Sequence, residues 1–402
     1  MMSLTFEDIM NKDKQYILPN YNRYNVAIIR GRGAYVYDTN NKEYLDFLAG
    51  ISVCNFGHCN PLINNAVKEQ LDTLIHTSNL YYTQNQAELG EWISKISFEG
   101  RTFFGNSGTE ANEAALKLIR YRGNKISKDK NVILSLKGSF HGRSSGALAL
   151  TGQSKHQEGF EPLLPNVKHI ELNNIEDLRA NFNDKIAGIF LEPIQGESGI
   201  HPITEDFALE VRKLCDKHDA LLIFDEIQTG LGRTGKYFGY EHFPITPDGF
   251  TLAKSLANGI PIGAFHIKEK FKDCLPAGKH ASTFGGNPLA TRAGIEVMKM
   301  LTGGLLNQIE DVSKDLFEKL DSLRLKYPSI IKEIRGKGLM IALELSINAK
   351  DVLNKCHEEG LLCNAIGDYV LRLLPPLIIT QKEVDLFYKK ISTVLSKFNS
   401  KG

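Results

Sequence analysis

Leu221-Leu-Ile-Phe-Asp225-Glu-Ile-Gln228-Thr-Gly230 is a short apolar run that stops on an acid, and Thr251-Leu-Ala-Lys254-Ser-Leu256 ends a second such run with a lysine. The first run reads as a buried strand with Asp225 at its end. Lys254 stands just before the Gly-Pro-rich Asn258-Gly-Ile-Pro-Ile-Gly263. A strand-end carboxylate and a partly desolvated amine have two readings. They form a buried ion pair, or they form the core of a pyridoxal phosphate site, with the lysine as covalent anchor and the acid holding a proton on the pyridine nitrogen.

Further strand-like runs flank this pair: Val132-Ile-Leu-Ser-Leu136, Ala187-Gly-Ile-Phe-Leu191 and Ile262-Gly-Ala-Phe-His-Ile267. Glu205-Asp-Phe-Ala-Leu-Glu-Val-Arg-Lys-Leu-Cys215 spaces its apolar residues as an amphipathic helix does. Strands alternating with helices predict an α/β domain with a largely parallel sheet, and ligands at the carboxyl ends of its strands. The flanks differ. Ala34-Tyr-Val-Tyr-Asp38 and Glu43-Tyr-Leu-Asp-Phe47 enclose Thr39-Asn-Asn-Lys42 as a hairpin would. Beyond about residue 290 a long helix, a strand at 338–344 and further α+β elements are expected. The division expected is therefore a large domain at 55–289 and a smaller α+β domain built from 1–54 and 290–402.

Composition narrows the function. The 402 residues carry 48 Lys+Arg against 47 Asp+Glu, a net charge of +1, which points to neither nucleic acid nor an anionic membrane. Hydrophobic content of 42% is that of an ordinary globular chain, and no apolar run reaches the ~18 residues of a membrane span. The acidic start, Met1-Met-Ser-Leu-Thr-Phe-Glu, lacks the basic character of a secretory signal, so a cytoplasmic enzyme is expected. Six scattered cysteines suit reduced thiols. Cys54-Asn-Phe-Gly-His58-Cys59 has no second ligand pair at zinc spacing, and no metal site is expected.

Three other segments carry chemistry. Phe103-Phe-Gly-Asn-Ser107-Gly108-Thr109-Glu-Ala-Asn passes from a strand through small residues into a helix, where backbone N–H groups and two hydroxyls can hold an anion; a capped helix that binds nothing is the alternative. Ser139-Phe140-His141-Gly142-Arg143 follows the strand at 132–136. It offers an aromatic to stack on a ring and an arginine to clamp a carboxylate, and His141 is given no role. Gly230-Leu-Gly232-Arg-Thr-Gly235 matches the dinucleotide fingerprint of a nicotinamide oxidoreductase. However, Asp-Glu precedes it and Lys236-Tyr-Phe-Gly-Tyr follows, which is no helix for a pyrophosphate.

Taken in order, Asn106-Ser-Gly-Thr-Glu-Ala-Asn112, Ser139-Phe-His-Gly-Arg143, Asp225-Glu-Ile-Gln-Thr-Gly-Leu-Gly-Arg-Thr-Gly235, Thr251-Leu-Ala-Lys254 and Ser282-Thr-Phe-Gly-Gly-Asn-Pro288 resemble the class III pyridoxal-phosphate aminotransferases. The match runs from Gly31-Arg-Gly33 to Leu371-Arg-Leu-Leu-Pro-Pro-Leu377, departing at Gly57-His-Cys-Asn-Pro61, where the family usually shows a second histidine. Phe140-His-Gly-Arg143, Ala149-Leu-Thr-Gly-Gln153 and Gly159-Phe-Glu-Pro-Leu-Leu-Pro165 resemble the branch that moves the terminal amino group of N-acetylornithine to 2-oxoglutarate by a ping-pong route. Users of ornithine, N-succinyldiaminopimelate, succinylornithine and 4-aminobutyrate share the skeleton.

The resemblance implies a fold-type-I homodimer with the active site at the subunit interface. It implies that Lys254 anchors pyridoxal 5'-phosphate and shuttles the proton, that Asp225 pairs with the ring nitrogen, that Gln228 contacts the ring hydroxyl and that Phe140 covers a ring face. Ser107, Gly108 and Thr109 would bind the phosphate, with Thr283 and neighbouring Ser282 reaching in from the partner subunit. Arg143 matches the arginine for a distal carboxylate, Arg372 the one for the α-carboxylate of glutamate or 2-oxoglutarate. Glu197, in Gln195-Gly-Glu-Ser-Gly199, matches the acid that pairs with Arg372 when no such carboxylate is bound, and so can act as a gate.

Overall fold

The computed structural model describes residues 4–399. Its centre is a seven-stranded sheet of β1 (Gly100–Gly105), β2 (Val132–Leu136), β3 (Val167–Ile170), β4 (Ile186–Leu191), β5 (Leu221–Asp225), β6 (Gly249–Leu252) and β7 (Gly263–Lys268). The strand order is β1-β7-β6-β5-β4-β2-β3. The apolar run that ends in Asp225 is β5, in the middle, parallel to β4 on one side and β6 on the other. All five of its residues are buried. Leu222 and Phe224 enter one core while Leu221 and Ile223 enter the core across the sheet, the period-two division that a strand covered on both faces requires.

Only β7 runs against the others, pairing antiparallel with both β6 and β1. Its amino end therefore lies at the edge where the parallel strands have their carboxyl ends, which brings Gly259–Ile262 beside Asp225 in the cleft described below.

Segments from the two flanks of the chain meet. Ile28–Arg32, Tyr35–Asp38 and Glu43–Asp46 form an antiparallel meander, and Leu361–Leu362 joins it in parallel beside Leu45 and Asp46. A second sheet, from Ile331–Lys337, Met340–Leu345, Val370–Leu373 and Asn364–Ile366, shares their core, where Phe47 stacks on Phe387 at 4.3 Å.

The long helix expected beyond 290 is in fact two. Pro288–Met300 passes through the π-helical turn Leu301–Leu305, where Gly304 takes φ 102°, before Leu306–Lys326 resumes. Adjacent Gly303 and Gly304 permit the break. The first of these helices spans the expected cut between 289 and 290 and buries Ala293, Ile295 and Met298 in the large core, so the chain leaves that core at the π turn. No helix among the described residues is long and apolar enough to cross a membrane.

Candidate active site

A cleft of about 400 Å³ opens at the carboxyl edge of the sheet. Its floor is Asp225, 4% exposed. Oδ2 accepts from Asn112 Nδ2 at 2.9 Å and lies 2.7 Å from His141 Nδ1, while Oδ1 accepts from the Ile227 amide at 3.0 Å. Among the described residues its only ion-pair partner is His141, which packs edge-on against Phe190 with ring centroids 5.1 Å apart. The acid is thus fixed from behind with no lysine or arginine spending its charge. This is an environment a protonated pyridine nitrogen fits.

Lys254 follows β6 in a 3-10 turn with φ 47°, a left-handed backbone that a non-glycine residue adopts only when its surroundings impose it. It is partly exposed to the open cleft, but lost hydration lowers its pKa; Glu197 works against that shift and Arg372 adds to it.

The opposite end of the cleft is the start of the helix Gly108–Ile126. Ser107 is its N-cap, accepting from the Glu110 amide at 3.3 Å. The amides of Gly108 and Thr109 fall among the first N–H groups of the helix, which have no intrahelical acceptor. A Cβ on Gly108 would lie 2.6 Å from Ile227 Cδ1, so glycine is what allows this turn to sit against the loop after β5. Thr109 Oγ1 bonds Ser144 Oγ at 2.8 Å. Bare donors and hydroxyls at a helix start fit a phosphate.

Phe140 and Arg143 line one wall, the guanidinium 5.5 Å from the ring centroid, and Arg143 has no carboxylate at ion-pair distance among the described residues. On the far wall Glu197 lines the cleft, and behind it Arg372, on the strand Val370–Leu373 of the second sheet, is 0% exposed. Its Nη1 donates to Glu197 Oε1 at 2.7 Å and to the Gly196 carbonyl at 2.9 Å, and Nε donates to Asn364 Oδ1 at 2.9 Å. No hydrogen bond among the described residues uses Nη2. Burial would raise the Glu197 pKa, but Arg372 and then Lys254 bring it down to about 2. Gln228 belongs to this network as well, donating to Glu197 Oε1 at 3.1 Å.

Asn112, His141 and Glu192 were not picked out as site residues from the sequence. Glu192, at the end of β4, accepts from the amides of Phe140 (3.0 Å) and Gly196 (3.2 Å), and burial pushes its pKa up to about 7. A strand-end acid at the same sheet edge as Asp225 was a usable signal. Glu226, next to Asp225, takes bonds from Thr229 and from the amides of Gly239 and Tyr240, and burial again raises it to about 7.

Ser282 and Thr283 do not line this cleft within one chain. They lie on a larger open cleft of about 1330 Å³ with Leu80 and Tyr82, though Ser282 Oγ accepts from Asn106 Nδ2 at 3.1 Å. The Gly230–Gly235 segment is a packed turn leading to no helix, with Arg233 buried inside it, and offers no cradle for a dinucleotide. His58 of the cysteine cluster is bonded to Asp46 at 2.7 Å, which raises its pKa to about 10.

An acid-floored cleft with a desolvated lysine, an anion-ready helix start and an arginine wall is a site for amino-group transfer. The family model for aminotransferase class-III matches residues 16–395, and the chain belongs to that family of enzymes. It is 48% identical over 388 residues to the acetylornithine aminotransferase of Caldanaerobacter subterraneus subsp. tengcongensis, covering 96% of this chain and 98% of that one. It is 44% identical to the acetylornithine aminotransferase of Methanocaldococcus jannaschii, covering 97% and 98%. Among solved structures it resembles the ornithine aminotransferase of Toxoplasma gondii (TM-score 0.95, 32% identity, covering 100% of this chain and 97% of that one). It also resembles the acetylornithine aminotransferase of Elizabethkingia anophelis (TM-score 0.87, 29%, covering 98% and 100%).

Proposed function

We propose that this enzyme transfers the terminal amino group of N-acetylornithine to 2-oxoglutarate, using pyridoxal 5'-phosphate. When bound, that cofactor supplies an electron sink for the carbon bearing the amino group. The observation that carries the reading is the pairing of a fixed acid, Asp225, with an exchangeable one, Glu197, across a cleft that holds Lys254.

Lys254 Nζ, its pKa lowered, would carry the proton between substrate carbon and cofactor, off the amine-bearing carbon of the donor in the first half-reaction and onto the α-carbon of the acceptor in the second. Asp225, oriented by His141 and Asn112, holds the positive charge on the ring nitrogen. Ser107, Gly108 and Thr109 hold the phosphate, and Phe140 excludes water from one ring face. Gln228, which is bonded to Glu197, would contact the ring hydroxyl. Arg143 receives the α-carboxylate of N-acetylornithine, which is distal to the reacting carbon. In the second half-reaction Arg372 leaves Glu197 for the α-carboxylate of 2-oxoglutarate, and Arg143 takes the distal one.

A second copy of the chain completes the site. Leu80, Tyr81, Tyr82 and Phe284 are more than half exposed in one chain, an apolar surface around the larger cleft that a homodimer would cover. Thr283 would then reach the phosphate of the neighbouring site, and light scattering of the purified enzyme reads the state directly. The donor is tested by kcat/KM for N-acetylornithine, ornithine, succinylornithine, N-succinyldiaminopimelate and 4-aminobutyrate with 2-oxoglutarate. N-Acetylornithine is expected to lead; a lead for ornithine, named in the Toxoplasma relative, would displace the reading.

A further inference from the structure

Arg233 is a fully buried cation with no acid at ion-pair distance among the described residues; Asp46, itself bonded to His58, acts on it only from farther off. Its side chain is 0% exposed and every acceptor it meets is neutral. Nε donates to Ser52 Oγ at 3.0 Å, Nη1 to the carbonyls of Leu339 and Pro375 at 2.8 Å each, and Nη2 to Asn55 Oδ1. Burial lowers its pKa to about 9, which leaves it charged at neutral pH. Removing a charge from water without an opposite partner is unfavourable, so stability is a poor reason for an arginine here.

Its connections suggest another reason. The four acceptors come from three separate stretches of chain, 52–55, 339 and 375, while Arg233 lies in the loop after β5 that also carries Gln228. Ser52 Oγ reaches the Gln228 carbonyl at 3.4 Å as well. Leu339 returns a bond, its amide donating to the Arg233 carbonyl at 3.0 Å. Pro375 is three residues beyond Arg372, and Leu339 directly precedes Met340–Leu345, in which Ala342 is the register partner of Arg372. The guanidinium thus grips the residues just outside both strands of the pair that carries Arg372. Close approach is built in on the other side too: a Cβ on Gly338 (φ +59°) would lie 2.4 Å from the Thr234 carbonyl carbon.

We propose that Arg233 is a positioning residue that sets Arg372 at its working distance from Gln228 and Lys254, so that the loop after β5 determines where the α-carboxylate of the acceptor is received. This rests on the reading of Arg372 as that receiver.

The test uses the holoenzyme with Arg233→Lys, which keeps the charge but cannot fork to acceptors on three segments, and with Gly338→Ala, which loosens the same contact without touching the charge. In both, KM for 2-oxoglutarate should rise about tenfold or more while KM for N-acetylornithine stays within about twofold. Amide hydrogen exchange should rise in 370–375 and 226–235 together and stay unchanged in 221–225. Equal losses with both substrates and unchanged exchange at 370–375 would reduce Arg233 to a structural stabiliser and overturn the proposal. Arg372→Lys is the control. If it leaves KM for 2-oxoglutarate unmoved, the receiver reading fails instead, and the exchange pattern alone decides whether Arg233 links the two segments.

Discussion

Three carboxylates line one cleft, and two of them, Asp225 and Glu197, are held in opposite ways. Asp225 is 4% exposed and bound by Asn112, His141 and a backbone amide, groups that a substrate has no means of taking away. The Glu197 side chain is 28% exposed and held mainly by Arg372, a partner that an incoming carboxylate can claim. The floor belongs to the seven-stranded sheet; the far wall joins it to the sheet that carries Arg372. The difference teaches where the chemistry is permanent and where specificity is switched. A charge needed in every turnover is fixed by neighbours that no substrate displaces, and a charge needed in one half-reaction is left to competition.

The floor is the place to break the comparison hardest. Lys254→Ala should lower kcat by about 10⁵-fold or more while leaving the circular dichroism spectrum unchanged, because only the anchoring amine and its proton transfer are lost. Borohydride reduction of wild type followed by peptide mapping should label Lys254; a label on Lys236 would move the site elsewhere. Asp225→Asn should follow with a loss of about 10³-fold in kcat and a much smaller change in cofactor affinity, measured by equilibrium dialysis. Near-normal turnover would make the acid merely structural.

A third prediction sharpens the contrast through pH. Glu226 has no cation, and burial raises its folded pKa to about 7 from an ordinary 4.5. The folded state therefore binds more protons than the unfolded one between those values, and stability falls as pH rises from about 4.5 to about 7, by on the order of 3 kcal/mol. Glu226→Gln should make that part of the Tm-against-pH curve shallower, leaving the share that Glu192 contributes through its own raised pKa, whatever constant offset the changed hydrogen bonds introduce. Glu197 behaves oppositely: its pKa is depressed to about 2, so its contribution is full above about 4.5 and is lost only as pH falls towards 2. It stays ionised from pH 5 to 8, and the gate should not respond to pH in that range.

The same division explains what the sequence made legible. Asp225 and Lys254 could be read because each ends a short apolar run, a local signal. The sheet's middle strands were readable for the same reason, and Ser107–Thr109 from a strand-to-helix passage through small residues. The reversal of β7 was not readable, since direction depends on its partners β6 and β1 and not on its own pattern. Nor was the meeting of Leu361–Leu362 with Leu45 and Asp46, which are hundreds of residues apart. His141 and Asn112 gain their roles only when separate elements converge on Asp225. The resemblance named Arg372, Glu197 and Gln228 individually, but it did not reveal that Gln228 is bonded into the Arg372–Glu197 pair.

The exchange at the far wall is the central claim, and its expected effect is the smallest of the series. Glu197→Ala leaves Arg372 open at all times, so glutamate should become a better amino donor by about tenfold, with no gain for N-acetylornithine, whose acetamido group lies away from Arg372. Arg143→Ala should instead impair both. The direct measurement is stopped-flow single-turnover kinetics of the cofactor's absorbance change in wild type and Glu197→Ala, with each donor in turn. The account predicts a rate gain for glutamate alone; equal changes with both donors would show that Glu197 is no gate.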